Sequence, residues 1–189
     1  VPHFRRHLLP VVAAALVAVA SSAQAQSTEA ITPKKPFAAF SASAERLRDS
    51  VVAMARGSVG TRYKLGGTKP GVGLDCSGLV RYALSVIDLV MPRTAATQAK
   101  AGTEVPKDLA SLKPGDVLTF GRGKRISHVG IYVGDGKMVH ASTSQRRVIE
   151  TSITARNPLL RQWKGVRRFV DGASAKFRDS VLAFADTLQ

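Results

Sequence analysis

Leu74-Asp75-Cys76-Ser77-Gly78-Leu79-Val80 carries the single cysteine of a 189-residue chain. A glycine-rich run, Gly66-Gly67-Thr68-Lys69-Pro70-Gly71-Val72-Gly73, precedes it, and an apolar helix-competent run from Leu79 to Ile87 follows. The sulfur therefore falls where a loop becomes a helix. The first-turn N–H groups of a helix lack intrahelical partners and carry partial positive charge. A thiol there is expected to ionise readily, and the thiolate is the reactive form. The competing reading is a small buried hydrophobe, the usual fate of a free cysteine. Cys76, Val80, Ala83 and Ile87 share one helical face, which places the cysteine on the buried side of its helix at the open end.

Moving outward, the hydrophobic content is 44%, that of an ordinary globular protein with room for one core. Residues 1–25 read as a signal peptide. A basic start with Arg5 and Arg6 leads into an apolar run from Leu8 to Ala20, and Ala23-Gln24-Ala25 has the small-x-small pattern of a processing site. Export to the periplasm or cell envelope follows, with no transmembrane segment expected in the mature chain. In an oxidising compartment a lone cysteine has no internal partner for a disulfide, so it is buried, paired with another chain or kept as a working thiol. The net charge of +15 suits anionic envelope polymers. Nucleic acid is disfavoured as a partner, because few aromatic residues interleave the basic ones and no recognition motif is present.

Residues 26–42, with Pro33 and Pro36, read as a flexible N-terminal arm, and residues 43–189 as a single domain. Leu47, Val51, Met54 and Ala55 recur at helical spacing before Gly57. Thr94 is a candidate N-cap for a short helix that Gly102 closes. Val117 to Phe120 reads as a strand, Gly121 to Arg125 as a basic mobile loop, and Ile126–Val133 with Lys137–Ala141 as a hairpin about Asp-Gly. Arg147–Thr151 and Gly165–Val170 are further strands, and Ala175–Leu188 a closing amphipathic helix. Helices early and antiparallel strands later define an α+β domain.

The two histidines downstream of the leader, His128 and His140, flank that hairpin. A cysteine nucleophile needs a base within hydrogen-bond reach and a third group to orient the base, and one Cys with two His supplies all three. A clean two-residue turn at Asp135-Gly136 pairs Ile131 with His140 and points the histidines to opposite faces. A three-residue loop, or an equivalent bulge, pairs Gly130 with His140 and leaves His128 two positions along the same face, roughly 7 Å away. The chemistry demands the second arrangement. No zinc or other cofactor is expected, since the local ligand spacing is absent.

Tyr63-x-x-Gly66-Gly67, Asp75-Cys76-Ser77-Gly78-Leu79-Val80, Pro92-Arg93-Thr94, Lys113-Pro114-Gly115-Asp116, His128-Val129-Gly130-Ile131-Tyr132 and His140-Ala141-Ser142 stand in the order seen in NlpC-type cell-wall cysteine endopeptidases. The chain resembles that family over about residues 45–170. The resemblance implies a papain-like fold, with the nucleophile at a helix N-terminus packed on an antiparallel sheet, and hydrolysis of amide bonds in peptidoglycan stem peptides. It implies Cys76 as nucleophile, His128 as base and then acid, and His140 as the group that orients His128. Tyr63 matches the family's tyrosine, whose hydroxyl would help the Cys76 N–H hold the oxyanion. Asp75 and Ser77 match positions that contact a substrate amine. The resting pair is expected as thiolate and imidazolium. Lys64-Leu65 and Leu74 depart from the aromatics common at those positions, which bears on the bond preferred. The alternatives are a cysteine amidase or acyltransferase on another envelope or host substrate, and a non-catalytic basic envelope-binding protein. An unidentified regulator is a further candidate partner.

Overall fold

The computed structural model describes residues 36–171. The leader, most of the arm and the closing helix read from the sequence lie outside the described residues. Helix α1 (Pro36–Gly57) begins well before Ser43, so residues 36–42 are helical and not part of a loose arm. Proline at the first position suits a helix start, since its missing N–H has no partner there in any case. Val51 and Ala55 are fully buried, one turn apart, as the helical spacing required.

A two-stranded ribbon, β1 (Thr68–Lys69) and β2 (Gly73–Leu74), leads into α2 (Cys76–Leu84). The helix tightens into a 3₁₀ turn, Ser85–Ile87, and stops at Asp88 in the left-handed region (φ 58°). A four-residue helix, α3 (Ala95–Gln98), starts at Thr94, which forms a reciprocal capping box with Thr97.

Six strands complete the fold: β3 (Thr103–Val105), β4 (Val117–Arg122), β5 (Arg125–Gly134), β6 (Lys137–Ser142), β7 (Arg147–Ser152) and β8 (Trp163–Arg168). They form one antiparallel sheet in the order β3-β8-β4-β5-β6-β7. The basic stretch 121–125 is not a mobile loop. Both strands run into it, and Arg122 pairs with Arg125 across a tight turn. Gly121 permits this: a Cβ there would lie 1.8 Å from the Arg125 carbonyl oxygen.

Alternation along the strands divides the core in two. Val117, Val129, Ile131, Val139 and Ala141 pack with α1 and α2 through Val51, Leu79, Val80 and Ala83. Leu118, Phe120, Tyr132, Met138 and Val166 pack on the opposite face with Leu159, Leu160 and Trp163. The fold is thus α+β, with α2 laid on the sheet. None of the described helices is long and apolar enough to cross a membrane.

Candidate active site

Cys76 is the first residue of α2, and Asp75 is its N-cap. The cap ties the cysteine to the glycine loop. Asp75 Oδ1 accepts from the Gly78 N–H at 2.7 Å and from Ser77 Oγ at 3.2 Å, while Oδ2 accepts from the Gly66 N–H at 2.9 Å. Gly78 is required by close approach, since a Cβ there would sit 2.0 Å from the Gly67 carbonyl oxygen. Arg93 completes the cradle with Nη2 2.6 Å from Asp75 Oδ2, Nη1 3.2 Å from Oδ1, and Nη1 2.9 Å from Ser77 Oγ. Burial alone would raise the Asp75 pKa. The Arg93 guanidinium and the Gly78 and Gly66 amides outweigh it and hold the carboxyl below its usual range.

Five protein donors thus occupy the Asp75 carboxylate. Asp75 and Ser77, singled out as contacts for a substrate amine, are engaged with Arg93, and an amine reaches Asp75 only by displacing that guanidinium. Arg93 and Gln98 were missed as site residues. Gln98 is fully buried and donates from Nε2 to the carbonyls of Ser77 (3.0 Å) and Pro92 (2.9 Å), bracing the first turn of α2. The signal for Arg93 was present in Pro92-Arg93-Thr94. Gln98 sits one turn beyond it, with no local cue in the sequence.

The histidines meet as the chemistry demanded, through a bulge. Asp135 (φ 51°) and Gly136 (φ 64°) both lie at positive φ, which is the two-residue type I′ turn of an Asp-Gly hairpin. Gly134 pairs with Lys137 and Tyr132 with Met138, so Val133 is the extra residue. The shift leaves Ile131 opposite Val139. A Cβ on Gly130 would meet the His140 Cβ at 3.1 Å, so these two residues face one another. His128 Nε2 then lies 2.9 Å from His140 Nδ1, with the rings edge-on at 89° and centroids 5.0 Å apart. Phe120, opposite His128 on β4, lies with its ring centroid 6.0 Å away and tilted by 45°.

The Val129 N–H is directed at the Cys76 sulfur, which also receives the N–H groups of Cys76 and Ser77. Cys76 therefore abuts the backbone immediately after His128. The thiol and the His128 ring make no direct hydrogen bond. Burial pushes the thiol pKa up, the Asp75 charge adds to this, and the three amides only partly offset it. Burial pushes His128 down to about 4, aided by His140, and burial pushes His140 down to about 4. Both directions favour the uncharged forms, thiol and imidazole, over the thiolate and imidazolium that the helix terminus alone suggests. The helix terminus does not overcome desolvation.

Tyr63, Asp75, Cys76 and Ser77 line a cleft of about 1010 Å³ that opens between the head of α2 and the β4–β5 hairpin. Burial raises the Tyr63 pKa, as do Cys76 and Asp75, so its hydroxyl keeps its proton as a donor. His128 and His140 stand behind this opening and not on its wall. Among the described residues no group of three His, Cys, Asp or Glu side chains is placed to hold a metal.

A thiol at the head of a helix laid against an antiparallel sheet defines the papain-like class. Within it the chain belongs to the NlpC/P60 family, whose model matches residues 60–168. It is 37% identical over 139 residues to the gamma-DL-glutamyl hydrolase of Bacillus subtilis, covering 71% of this chain and 33% of that protein. It is 41% identical over 88 residues to the bifunctional muramidase/DL-endopeptidase CwlT of Bacillus subtilis, covering 45% of this chain and 26% of that one. Among solved structures it resembles the peptidoglycan hydrolase RipB of Mycobacterium tuberculosis with a TM-score of 0.58 and 31% identity, covering 69% and 68% of the two chains. The chain spans about a third or less of the length of the two curated relatives.

Proposed function

We propose that the protein is an exported cysteine endopeptidase that hydrolyses amide bonds in peptidoglycan stem peptides. The observation that carries this reading is the 2.9 Å contact between His128 Nε2 and His140 Nδ1, set beside a helix-borne Cys76. The relatives' activities on peptidoglycan and glutamyl bonds supply the substrate class.

The contact is compatible with the tautomers the reaction needs. For His128 Nδ1 to accept a proton from Cys76, its Nε2 must carry hydrogen and donate to His140 Nδ1, which leaves the His140 proton on Nε2. The reaction requires the Cys76 side chain to turn toward His128, and catalytic hydrogen bonds commonly tighten only with substrate bound. The sulfur attacks the scissile carbonyl carbon as its proton passes to His128 Nδ1. The carbonyl oxygen becomes an oxyanion held by the Cys76 N–H and the Tyr63 hydroxyl, each such donor being worth ~3–4 kcal/mol. Collapse breaks the C–N bond, and the imidazolium gives its proton to the leaving amine. Water then loses a proton to His128 and attacks the thioester carbon. The C–S bond breaks, and the proton returns to sulfur. Asp75, Ser77, Arg93 and Gln98 hold the first turn of α2 so that these atoms meet.

The test is digestion of purified sacculi with product identification by mass spectrometry. Cys76→Ala is expected to cut muropeptide release by about a thousandfold or more while the fold is kept. Undiminished release by that variant would falsify the assignment.

A further inference from the structure

The cleft is electrostatically one-sided. Its two acids are paired, Asp75 with Arg93 at 2.6 Å and Glu104 with Arg167 at 3.2 Å. Lys100, Lys124, Arg125 and Lys164 line the same cleft, and none of the four is paired with a carboxylate of the described residues. A second cavity of about 500 Å³ lies alongside, with Arg122, Arg161 and Lys164 in its wall and no acid. Lys164 lines both cavities. Five exposed cations, Arg122, Lys124, Arg125, Arg161 and Lys164, therefore form a stripe that begins in the catalytic cleft and leaves it past the tip of the β4–β5 hairpin. The stripe is not a floppy loop. Arg122 and Arg125 are paired in the sheet, and Gly121 locks the turn against the Arg125 carbonyl. Three cations outside the stripe are paired instead: Arg56 of α1 and Lys137 of β6 share Glu150, and Arg168 of β8 is held by Asp116.

We infer that this stripe is a carboxylate-binding extension of the cleft. It would seat two carboxylates of the peptide substrate, one at Lys124, Arg125 and Lys164 and the next at Arg122 and Arg161. The inference rests on the reading of the cleft as the place where a peptide is cut. It assigns specificity to the sheet wall opposite Asp75. Continuity with the cleft favours the substrate's own chain over a separate polymer. Trp163 offers no stacking platform for bases, because it packs against the second core and commits its Nε1–H to the Gly165 carbonyl. Amidation of the carboxylates would remove the charge that the stripe reads, so amidated stem peptides become the poorer ligands.

The experiment uses the full chain carrying Cys76→Ala. It measures fluorescence anisotropy of a labelled γ-glutamyl tetrapeptide with free carboxylates and of the same peptide with carboxamides. The acid peptide is expected to bind about tenfold more tightly, from two charge contacts of ordinary strength. Adding Lys124→Gln, Arg125→Gln and Lys164→Gln is expected to erase that preference. A control with Lys69→Gln, Lys113→Gln and Arg147→Gln loses the same charge outside the stripe and is expected to keep it. Equal binding of the two peptides, absence of binding by both, or equal loss in the control overturns the inference. So does polyphosphate that occupies the stripe with no preference between the peptides. Cleavage of the acid peptide by the unaltered protein is read separately. Its failure with the charge preference intact removes the proposed function and leaves the stripe, and the reverse result removes the stripe alone.

Discussion

Two aspartate–arginine clamps hold this molecule, and they are built alike but placed differently. Asp116 is fully buried and meets Arg168 through two contacts, Oδ1 to Nε at 2.8 Å and Oδ2 to Nη2 at 2.7 Å. The Lys113 N–H adds a third donor, and Arg168 also reaches the Ser111 carbonyl. This clamp joins the turn before β4 to the end of β8, and neither of its residues lines the cleft. Asp75 is as well supplied with donors, but its Arg93 is more than a third exposed and lines the cleft. The same pair of residue types thus serves as a bolt in one place and as a rest for the Cys76 helix in the other. Exposure of the arginine is what separates the two. A guanidinium in contact with solvent is inexpensive to lose for the fold and available to a substrate, whereas a buried one is neither.

That contrast can be broken by experiment. The largest effect is expected at the buried clamp. Arg168→Ala leaves the Asp116 carboxylate uncompensated in the interior and should cost about 3–5 kcal/mol in urea unfolding. Arg93→Ala should cost less, about 1–2 kcal/mol, because Asp75 keeps the Gly66, Ser77 and Gly78 donors. Turnover should nevertheless fall by about tenfold to a hundredfold, through misplacement of the α2 head. If both variants unfold at the same urea concentration, or if Arg93→Ala cleaves normally, the division of labour is wrong.

A third effect is one of pH. His128 and His140 titrate near 4 in the folded chain and about 6.5 when unfolded, so between those values the unfolded state binds more protons. Stability should therefore fall as pH drops from about 6.5 to about 4. A double variant, His128→Gln with His140→Gln, should flatten that slope. The Asp75 clamp, whose carboxyl is held below its ordinary range, gives way only at lower pH. The acid limb of kcat/KM should likewise lie near 4, and alkylation of Cys76 should rise only above the ordinary thiol range. A slope that survives in the double variant would show that this pH dependence does not come from the histidine pair.

Much of this was legible in the sequence. Periodicity located α1 through Val51 and Ala55, Asp-Gly located the hairpin, and Thr94 announced its helix. The juxtaposition of the histidines was posed as a question of register, and the bulge at Val133 answers it. What stayed hidden depended on tertiary contact. The start of α1 at Pro36 lies in a Pro/Lys/Ala-rich segment without strong caps. The ordering of residues 121–125 comes from cross-strand pairing and the space left by Gly121, neither of which composition reveals. For Cys76 the helix terminus is a local feature that the sequence displays, whereas the desolvation that opposes ionisation is imposed by everything packed around it. Gln98 acts on α2 across a distance in sequence that no local pattern encodes.

The bulge at Val133 sets a rule of parity for the chain between the histidines. Adding or removing one residue in that hairpin would turn one imidazole to the far side of the sheet while leaving both strands intact. A change of two would preserve the pair. Length variation in this turn is thus filtered by evenness rather than by size, and a lengthened hairpin can carry a new surface loop without disturbing the histidines, provided that its insertion counts in twos.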